Sequence, residues 1–240
     1  MYDELASVYD AIYRSRKDYV AEARLVTGLI RDRAPDAASL LDVACGTGEH
    51  LIHLRDEFEV TGVDISPQMI DVARTKLPGV ELRVADMREL RLGQSYDAVI
   101  CLFSAVGYLG ASSELDAAMA AMAAHVHPGG VLVIEPWIFP EDWNEGRLGH
   151  DVSGSDEVRV ARMVRSTARG RTAVMEMHYL VGDAAGVRHF TDRHEMTLFT
   201  RAEYEAAYAA AGCEVEFLPG GPTGRGLFVG RRQPAGGRRR

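Results

Sequence analysis

Two glycines follow a short apolar run whose last residues are Asp42-Val43-Ala44-Cys45. Because glycine has no Cβ, a turn built on Gly46 and Gly48 lets the backbone come close to a bound molecule. A dinucleotide-binding turn has a third glycine three residues later, where this chain has Leu51. The sequence also lacks the Gly-Lys-Ser/Thr end of a phosphate-binding P-loop. The pattern therefore predicts a ligand-binding turn that suits neither NAD nor a nucleoside triphosphate.

Acidic residues follow the next two apolar runs. Asp64 comes 18 residues after Gly46, and a carboxylate in that place can accept both hydroxyl groups of a ribose. Asp86-Met87 ends the third run, where the carboxylate can accept from the amine of an adenine while the thioether packs on the ring. Each acid also has a simpler interpretation, Asp64 as a solvated turn residue and Asp86 as a helix N-cap.

Five short apolar runs separate these positions from helical segments. Their composition predicts buried parallel strands at residues 39–45, 60–63, 80–84, 96–103 and 131–135. Ser66 followed by Pro67 predicts a helix start, and Pro128-Gly129-Gly130 predicts a turn. Alternating strands and helices predict a doubly wound parallel sheet, which binds ligands at the carboxyl ends of its strands. The candidate residues above all fall at those ends.

The pattern changes after residue 140. Residues 151–200 alternate polar and apolar side chains, which predicts half-solvated antiparallel strands. A helix at 201–211 and a hairpin at 213–217 and 226–230 return to the main sheet, for seven strands in all. We therefore divide the chain into N-terminal helices and an α/β core (1–140), an inserted antiparallel sheet (141–200), a return to the core (201–230) and a disordered Arg-rich tail (231–240).

Charge and composition argue against several partners. The 240 residues carry a net charge of −8 although five Arg lie in the last ten positions, so bulk charge disfavours nucleic acid. No apolar run approaches the ~20 residues of a membrane span, and the acidic start Met1-Tyr2-Asp3-Glu4 is unlike a signal peptide. Three Cys without CxxC spacing predict no disulfide framework and no metal site. We expect a cytoplasmic protein.

Residues 39–135 resemble the class I S-adenosylmethionine-dependent methyltransferases, which have a Rossmann-like fold. In that family the motif at 42–48 is the glycine-rich first motif, Asp64 matches the ribose acid and Asp86-Met87 the adenine contact. The resemblance implies S-adenosylmethionine as cofactor and S-adenosylhomocysteine as product. The cofactor contacts that it implies are Tyr13, Ala44, Gly46, Gly48, Asp64, Ile65, Asp86, Met87 and Leu102.

A narrower resemblance extends nearly to the tail. The motifs at 39–48, 86–88, 103–109, 133–140, 197–199 and 220–228 are similar to those of N,N-dimethyltransferases acting on dTDP-linked amino sugars of the desosamine and mycaminose type. The resemblance implies N,N-dimethylation of a dTDP-amino-deoxysugar in antibiotic biosynthesis, by a homodimer. Two positions depart from the family pattern: Asp64 stands where Glu is frequent, and Ile138 replaces an aromatic residue near the expected substrate pocket.

Methyl transfer from a sulfonium to an amine needs alignment and exclusion of water more than side-chain chemistry. Two residues are candidates to accept the proton of the amine, Tyr108 and His178. Tyr108 also suits a purely pocket-shaping role, and His178 alternates with apolar neighbours, so it also suits a solvent-facing position. The predicted substrate contacts are Tyr2, Trp137, Arg162, Arg165 and Arg225, with the three arginines facing a pyrophosphate and Tyr2 and Tyr13 forming a lid.

Two other functions stay open at this point. One is a methyltransferase for a different small amine or a hydroxyl group. The other is a catalytically silent module that binds S-adenosylmethionine, which the presence of Gly46, Gly48, Asp64 and Asp86 disfavours.

Overall fold

The computed structural model describes residues 9–234. Its main sheet has the order β10-β11-β5-β4-β1-β2-β3, in which β1 to β5 are parallel to one another and β11 is antiparallel to β5 and β10. The strands are β1 (Ser39–Val43), β2 (Glu59–Asp64), β3 (Glu81–Val84), β4 (Tyr96–Cys101), β5 (Val126–Ile134), β10 (Cys213–Leu218) and β11 (Leu227–Arg232). The prediction of a mostly parallel, doubly wound seven-stranded sheet is confirmed.

Six helices accompany this sheet among the described residues: α1 (residues 9–13), α2 (Tyr19–Arg31), α3 (Glu49–Leu54), α4 (Pro67–Lys76), α5 (Ser112–Ala124) and α6 (Arg201–Ala210). Polar side chains cap the starts of α2, α4 and α6. Ser66 accepts from the backbone N of Met69 ahead of Pro67, as the sequence predicts, and Thr200 forms a reciprocal capping box with Glu203.

Helices cover both faces of the sheet, which explains why its strands are apolar on both sides. On one face, Leu41 and Val99 pack in a cluster with α5 and α6, whose buried members include Met119 and Tyr208. On the other face, alternate residues of the same strands pack with α2, α3 and α4. The strand ends are therefore held rigidly, with their carboxyl ends on one edge.

A second sheet of four antiparallel strands lies beside that edge, in the order β6 (Leu148–Gly154), β7 (Arg159–Arg169), β8 (Thr172–Asp183) and β9 (Gly186–Thr197). Its inner face contributes Val160, Met177 and Met196 to an apolar cluster that also contains Trp137, and it carries polar side chains such as Arg162 and His194 as well. Its outer face is solvent-exposed. The predicted inserted antiparallel sheet is confirmed.

Two local predictions are wrong. Pro128-Gly129-Gly130 is not a turn between elements but lies inside β5, where the register with β4 shifts and Gly129 has a φ of +85°. The Arg-rich tail does not begin at residue 231, because Arg231 and Arg232 pair with β10. Residues 235–240 lie outside the described part of the chain, as does Tyr2.

Within residues 9–234, no helix combines the length and the apolar character needed to cross a membrane.

Candidate active site

A cavity of about 1020 Å³ lies between the carboxyl edge of the main sheet and the inner face of the second sheet. Residues from α1, from the ends of β1 to β4 and from β7, β8 and β9 line it. Its volume is at the upper end of the ~300–1,000 Å³ that ligand sites usually have. The cavity therefore has room for more than one small ligand, and it is where the fold rule predicts a site.

The glycine turn after β1 forms the floor of this cavity. Gly46 and Gly48 have φ angles of +55° and +80°, which favour glycine. A Cβ on Gly48 would lie 2.6 Å from Cδ1 of Leu77, whereas one on Gly46 would meet nothing within 4 Å. Gly48 thus allows α3 and α4 to pack closely, while Gly46 presents open backbone to the cavity.

Asp64, at the end of β2, holds the turn in place. Its Oδ2 accepts from the backbone N of Gly46 and its Oδ1 from the backbone N of Ser66, both at 2.8 Å. Burial raises the pKa of Asp64, and the backbone donors offset part of that rise. Each carboxylate oxygen has a further lone pair, so Asp64 lines the cavity as an acceptor with capacity left.

Asp42 is a second acceptor in the cavity wall, which it lines together with the glycine turn. Its side chain is 1% exposed, and its Oδ2 has no hydrogen-bond partner among the described residues. Burial raises the pKa of Asp42 well above its ordinary value. An orphaned buried acceptor is energetically costly, so this oxygen fits a ligand that brings a positively charged or N–H donor.

The wall beyond Asp64 contains the residues with predicted adenine contacts. Asp86 caps the turn at Met87–Glu89, as the alternative interpretation expects, and accepts from the backbone N of Arg88. The hydrogen bond from the Arg88 guanidinium is the main cause that lowers the pKa of Asp86. Ile65 is 58% exposed and lines the cavity, as do Asp86 and Met87. An apolar surface next to a carboxylate suits a purine.

Helix α1 covers the cavity from the other side. Oδ1 of Asp10 accepts from Oγ1 of Thr47 at 2.6 Å, and Oδ2 of Asp10 lies 2.8 Å from Nζ of Lys76. These contacts anchor α1 to the glycine turn and to α4. They hold Tyr13 over the cavity, where its ring is 5.1 Å from that of Phe103.

The turn after β4 brings Arg225 and Trp137 together. Phe103 and Ser104 have φ angles of +54° and +63°, a strained conformation for residues other than glycine. The fully buried Glu135 holds this turn by accepting from the backbone N of Phe103 at 2.7 Å. Oγ of Ser104 in turn accepts from Arg225 at 2.9 Å, and the guanidinium lies 4.3 Å from the Trp137 ring centre. Burial lowers the pKa of Arg225 from its ordinary value. The result is a cation fixed on an aromatic face at the cavity wall.

Successive side chains of a strand point to opposite faces of the sheet, so only some of the predicted substrate contacts on the second sheet face the cavity. Arg162 lines the cavity, where its Nε donates to Oδ2 of Asp151 at 2.9 Å. Arg165 is three residues away on β7 and points to the opposite, outer face, so the expectation that it contacts substrate needs correction.

The expectation that His178 accepts the proton of the amine needs correction for the same reason. Its neighbours on β8, Met175 and Met177, line the cavity, whereas His178 is exposed on the outer face and stacks on His189. The distance between Nδ1 of His178 and Nε2 of His189 is 3.2 Å. A residue in this position does not reach a substrate in the cavity. Tyr108, the other proton-acceptor candidate, does line the cavity.

Tyr9, His194 and Lys17 are among the cavity residues that the sequence analysis missed. Tyr9 lies beside Tyr13, with ring centres 4.5 Å apart, and His194 contacts Tyr108 through its Nδ1. Lys17 is 7% exposed in its side chain, 2.9 Å from Glu22 and 3.9 Å from the centre of the Phe103 ring. Lys17 is one of two lysines in a chain with 27 basic residues, and that scarcity was the available signal for it.

Among residues 9–234, no group of three or more His, Cys, Asp or Glu side chains is arranged to hold a metal ion.

A family profile described as "Methyltransferase domain" matches residues 40–130. A Streptomyces venezuelae protein, dTDP-3-amino-3,4,6-trideoxy-alpha-D-glucopyranose N,N-dimethyltransferase, is 52% identical over 228 residues, which are 94% of this chain and 96% of that protein. The dTDP-3-amino-3,6-dideoxy-alpha-D-glucopyranose N,N-dimethyltransferase of Streptomyces fradiae is 46% identical over 95% of this chain and 90% of its own length.

Two solved structures extend the likeness to three dimensions. The crystal structure of Streptomyces venezuelae DesVI matches with a TM-score of 0.92 and 51% identity, over 96% of this chain and 98% of that one. CalS10 from Micromonospora echinaspora, an amino pentose methyltransferase of calicheamicin biosynthesis solved with S-adenosylmethionine bound, matches with a TM-score of 0.88 and 51% identity, over 94% of this chain and 97% of that one.

Proposed function

Because this chain belongs to the family of S-adenosylmethionine-dependent N,N-dimethyltransferases of dTDP-linked amino sugars, we propose that it dimethylates the amino group of a dTDP-linked amino-deoxysugar in antibiotic biosynthesis. The observation that carries the proposal is the composition of the cavity wall. A glycine turn with two acids lies on one side, and a cation fixed on an aromatic ring lies on the other. Such a cavity suits one ligand rich in N–H and O–H donors and a second ligand that carries an anion.

The cofactor, S-adenosylmethionine, supplies when bound a methyl group already activated on a sulfonium. We assign its ribose hydroxyls to Asp64 and its adenine to the wall at Ile65, Asp86 and Met87. The orphaned Oδ2 of Asp42 fits the ammonium group of its methionine part, and Lys17, which lines the same cavity, is suited to the carboxylate. The remaining contacts that we propose are with Tyr13, Ala44, Gly46, Gly48 and Leu102, which line or border the same wall.

The nucleotide end of the substrate is assigned to Arg225 and Trp137. The Arg225 guanidinium uses one N–H on Ser104 and has four others for the oxygens of a diphosphate. Trp137 offers an aromatic surface beside it. Arg162 is a weaker candidate because Asp151 already neutralises much of its charge, and the proposed contact with Tyr2 lies outside the described residues.

The chain's side chains mainly align and enclose the reactants. Tyr13 and the rest of α1 cover the cavity, and the apolar cluster on the inner face of the second sheet limits the access of water. Holding nitrogen, carbon and sulfur in line converts the transfer into an effectively unimolecular step. The inserted sheet thus acts as a substrate-binding unit of the protein.

We also propose that the chain forms a homodimer through the outer face of the second sheet. Five large apolar side chains on that face are at least half exposed: Leu148, Val152, Met163, Leu180 and Val187. An exposed apolar patch of this kind is typical of an interface. Sedimentation of the wild type and of Leu180→Glu tests it, because the variant should be monomeric at equal concentration. We propose a reducing cytoplasmic location as well, which the three free, buried cysteines support.

The enzymatic proposal is tested by incubating the protein with methyl-labelled S-adenosylmethionine and a dTDP-3-amino or dTDP-4-amino deoxysugar. Mass spectrometry of the product should show one and then two added methyl groups on nitrogen. Transfer to a hydroxyl group or to another amine would instead support the wider methyltransferase function. Tight cofactor binding with no transfer to any of these acceptors would identify a silent binding module.

A further inference from the structure

Three polar side chains form a row across the junction of the two sheets. Oη of Tyr108, in the turn after β4, lies 2.5 Å from Nδ1 of His194 on β9. Nε2 of the same imidazole lies 3.1 Å from Oδ2 of Asp192. Residues two apart on a strand share a face, so Asp192 and His194 point the same way. The row ends at a hydroxyl group in the cavity.

The surrounding structure holds these groups in place. A Cβ on Gly107 would lie 2.6 Å from Cε of Met196 and 2.9 Å from Cβ of Trp137. The turn that carries Tyr108 can therefore approach β9 so closely only with glycine at position 107. His194, the middle member of the row, is 5% exposed, so the packing around it fixes the geometry of its contacts.

The charges around the row determine the direction of its hydrogen bonds. Burial opposes ionisation of Asp192, but the neighbouring imidazole of His194 lowers its pKa below the ordinary value. A carboxylate 3.1 Å from Nε2 favours a hydrogen on that nitrogen, which leaves Nδ1 as the acceptor for the Tyr108 hydroxyl.

Other ionisable groups face this row from the neighbouring elements. Tyr179 on β8 is close to Asp192 and to Arg162 of β7, and Tyr9 of α1 is close to Tyr108. Burial raises the pKa values of Tyr9 and Tyr179, so both phenols stay neutral. His194, whose Nδ1 faces the Tyr108 hydroxyl, is thus placed to be the proton-accepting member of the row.

We propose that Tyr108, His194 and Asp192 work as one relay that takes the proton from the substrate nitrogen, an inference that rests on the proposed function. Tyr108 is the residue in contact with the amine, and His194 and Asp192 are positioning residues. The N–H bond of the methylated ammonium breaks and leaves its electron pair on nitrogen. Its proton passes to Oη of Tyr108 as the phenol's own proton moves to Nδ1 of His194. The imidazolium, paired with Asp192, then releases a proton to water.

The relay matters most between two methyl transfers. After the first transfer the nitrogen carries a positive charge, and it must lose a proton to regain the lone pair that the second transfer needs. A broken relay therefore slows the second transfer, and the monomethylated sugar accumulates.

Asp192→Asn tests this with little change in volume. The amide can donate to Nε2, which would give Nδ1 the hydrogen and remove the acceptor for Tyr108. We expect kcat at pH 7 to fall about 10²-fold, within the range of one acid–base group. We also expect unchanged KM values, a higher monomethylated fraction, and a rate that recovers as pH rises. Asp183→Asn, a change at a half-buried carboxylate on the same sheet that does not line the cavity, is the matched control.

Combining the changes distinguishes a relay from independent contributions. The double variant Tyr108→Phe/Asp192→Asn should be no slower than Tyr108→Phe alone. Loss of Tyr108 already stops proton transfer through the relay, so a further change at Asp192 has no additional effect on the rate. Tyr108→Phe is also the fallback if Asp192→Asn does not fold, since it alone should accumulate monomethylated sugar.

Two results would count against the relay. The first is a wild type that dimethylates the sugar while the losses in kcat from Tyr108→Phe and Asp192→Asn multiply in the double variant. An unchanged ratio of mono- to dimethylated product and an unchanged pH profile in the single variants would count in the same way. Either outcome refutes the relay and leaves the proposed function standing. If the wild type methylates no dTDP-amino sugar at all, the proposed function and the relay fail together.

Discussion

Replacement of Asp64 by Asn changes the charge of the proposed ribose contact with little change in shape. In the structure both carboxylate oxygens of Asp64 accept from backbone N–H groups, those of Gly46 and Ser66. The amide keeps one acceptor oxygen and places an NH₂ group against one of these donors. We therefore expect two separable effects, a less stable glycine turn and a lost acceptor for the ligand.

The magnitude follows from the kind of hydrogen bond that is lost. A bond to a charged group contributes about 1.5–3 kcal/mol, which is about a 10- to 150-fold rise in Kd at 1.4 kcal/mol per tenfold. Asp97→Asn is the matched control. Asp97 also accepts from backbone N–H groups, those of Ala38 and Ser39 at 2.9 and 3.0 Å, but it lies at the opposite edge of the sheet.

Titration calorimetry with S-adenosylmethionine, together with thermal unfolding, measures both effects. Asp64→Asn should lower cofactor affinity and Tm, whereas Asp97→Asn should lower Tm alone. The reasoning is refuted if Asp64→Asn leaves Kd unchanged, or if Asp97→Asn weakens cofactor binding as strongly.

Three further outcomes are expected. Arg225→Ala should raise KM for the dTDP-sugar far more than KM for S-adenosylmethionine in steady-state assays, and an equal rise in both would mean that Arg225 is only structural. Tyr108→Phe should retain measurable turnover, with a loss of at most about 10²–10⁴-fold, while His178→Ala, outside the cavity, should match the wild type; abolished turnover in either variant with normal ligand binding would contradict this. Partial burial opposes ionisation of Glu203, but hydrogen bonds led by that from Arg171 lower its pKa to about 2. The lowered pKa means that ionised Glu203 stabilises the folded state. This contribution is present above the unfolded pKa of ~4.3 and is lost as pH falls toward 2. In Glu203→Gln, the decrease of Tm with falling pH should therefore be less steep.

Local spacing was sufficient to predict the main sheet and its ligand-binding edge. Strands covered on both faces must be apolar throughout, and the carboxyl ends of parallel strands meet at one edge. The glycine turn at Gly46 and Gly48, Asp64 and Asp86 could therefore be assigned to a common edge from their positions in the chain alone. The register shift inside β5 could not be predicted from the sequence, because Pro128-Gly129-Gly130 has the composition of a turn whether or not a neighbouring strand pairs with it.

The second sheet shows what only the tertiary structure decides. A period of two predicts an antiparallel strand, but it leaves open which of the two faces meets the cavity. Packing against the main sheet buries Met175 and Met177, and that choice turns Arg165 and His178 outward while it brings Arg162 inward.

Contacts between distant parts of the chain are likewise a property of the fold. Tyr108 and His194 are 86 residues apart and meet because Gly107 lets a turn of one sheet approach a strand of the other. The orphaned acceptor of Asp42 depends in the same way on what surrounds it after folding. Residue types and spacing determine which chemistry is present, whereas burial and strand phase determine which side chains can take part in it.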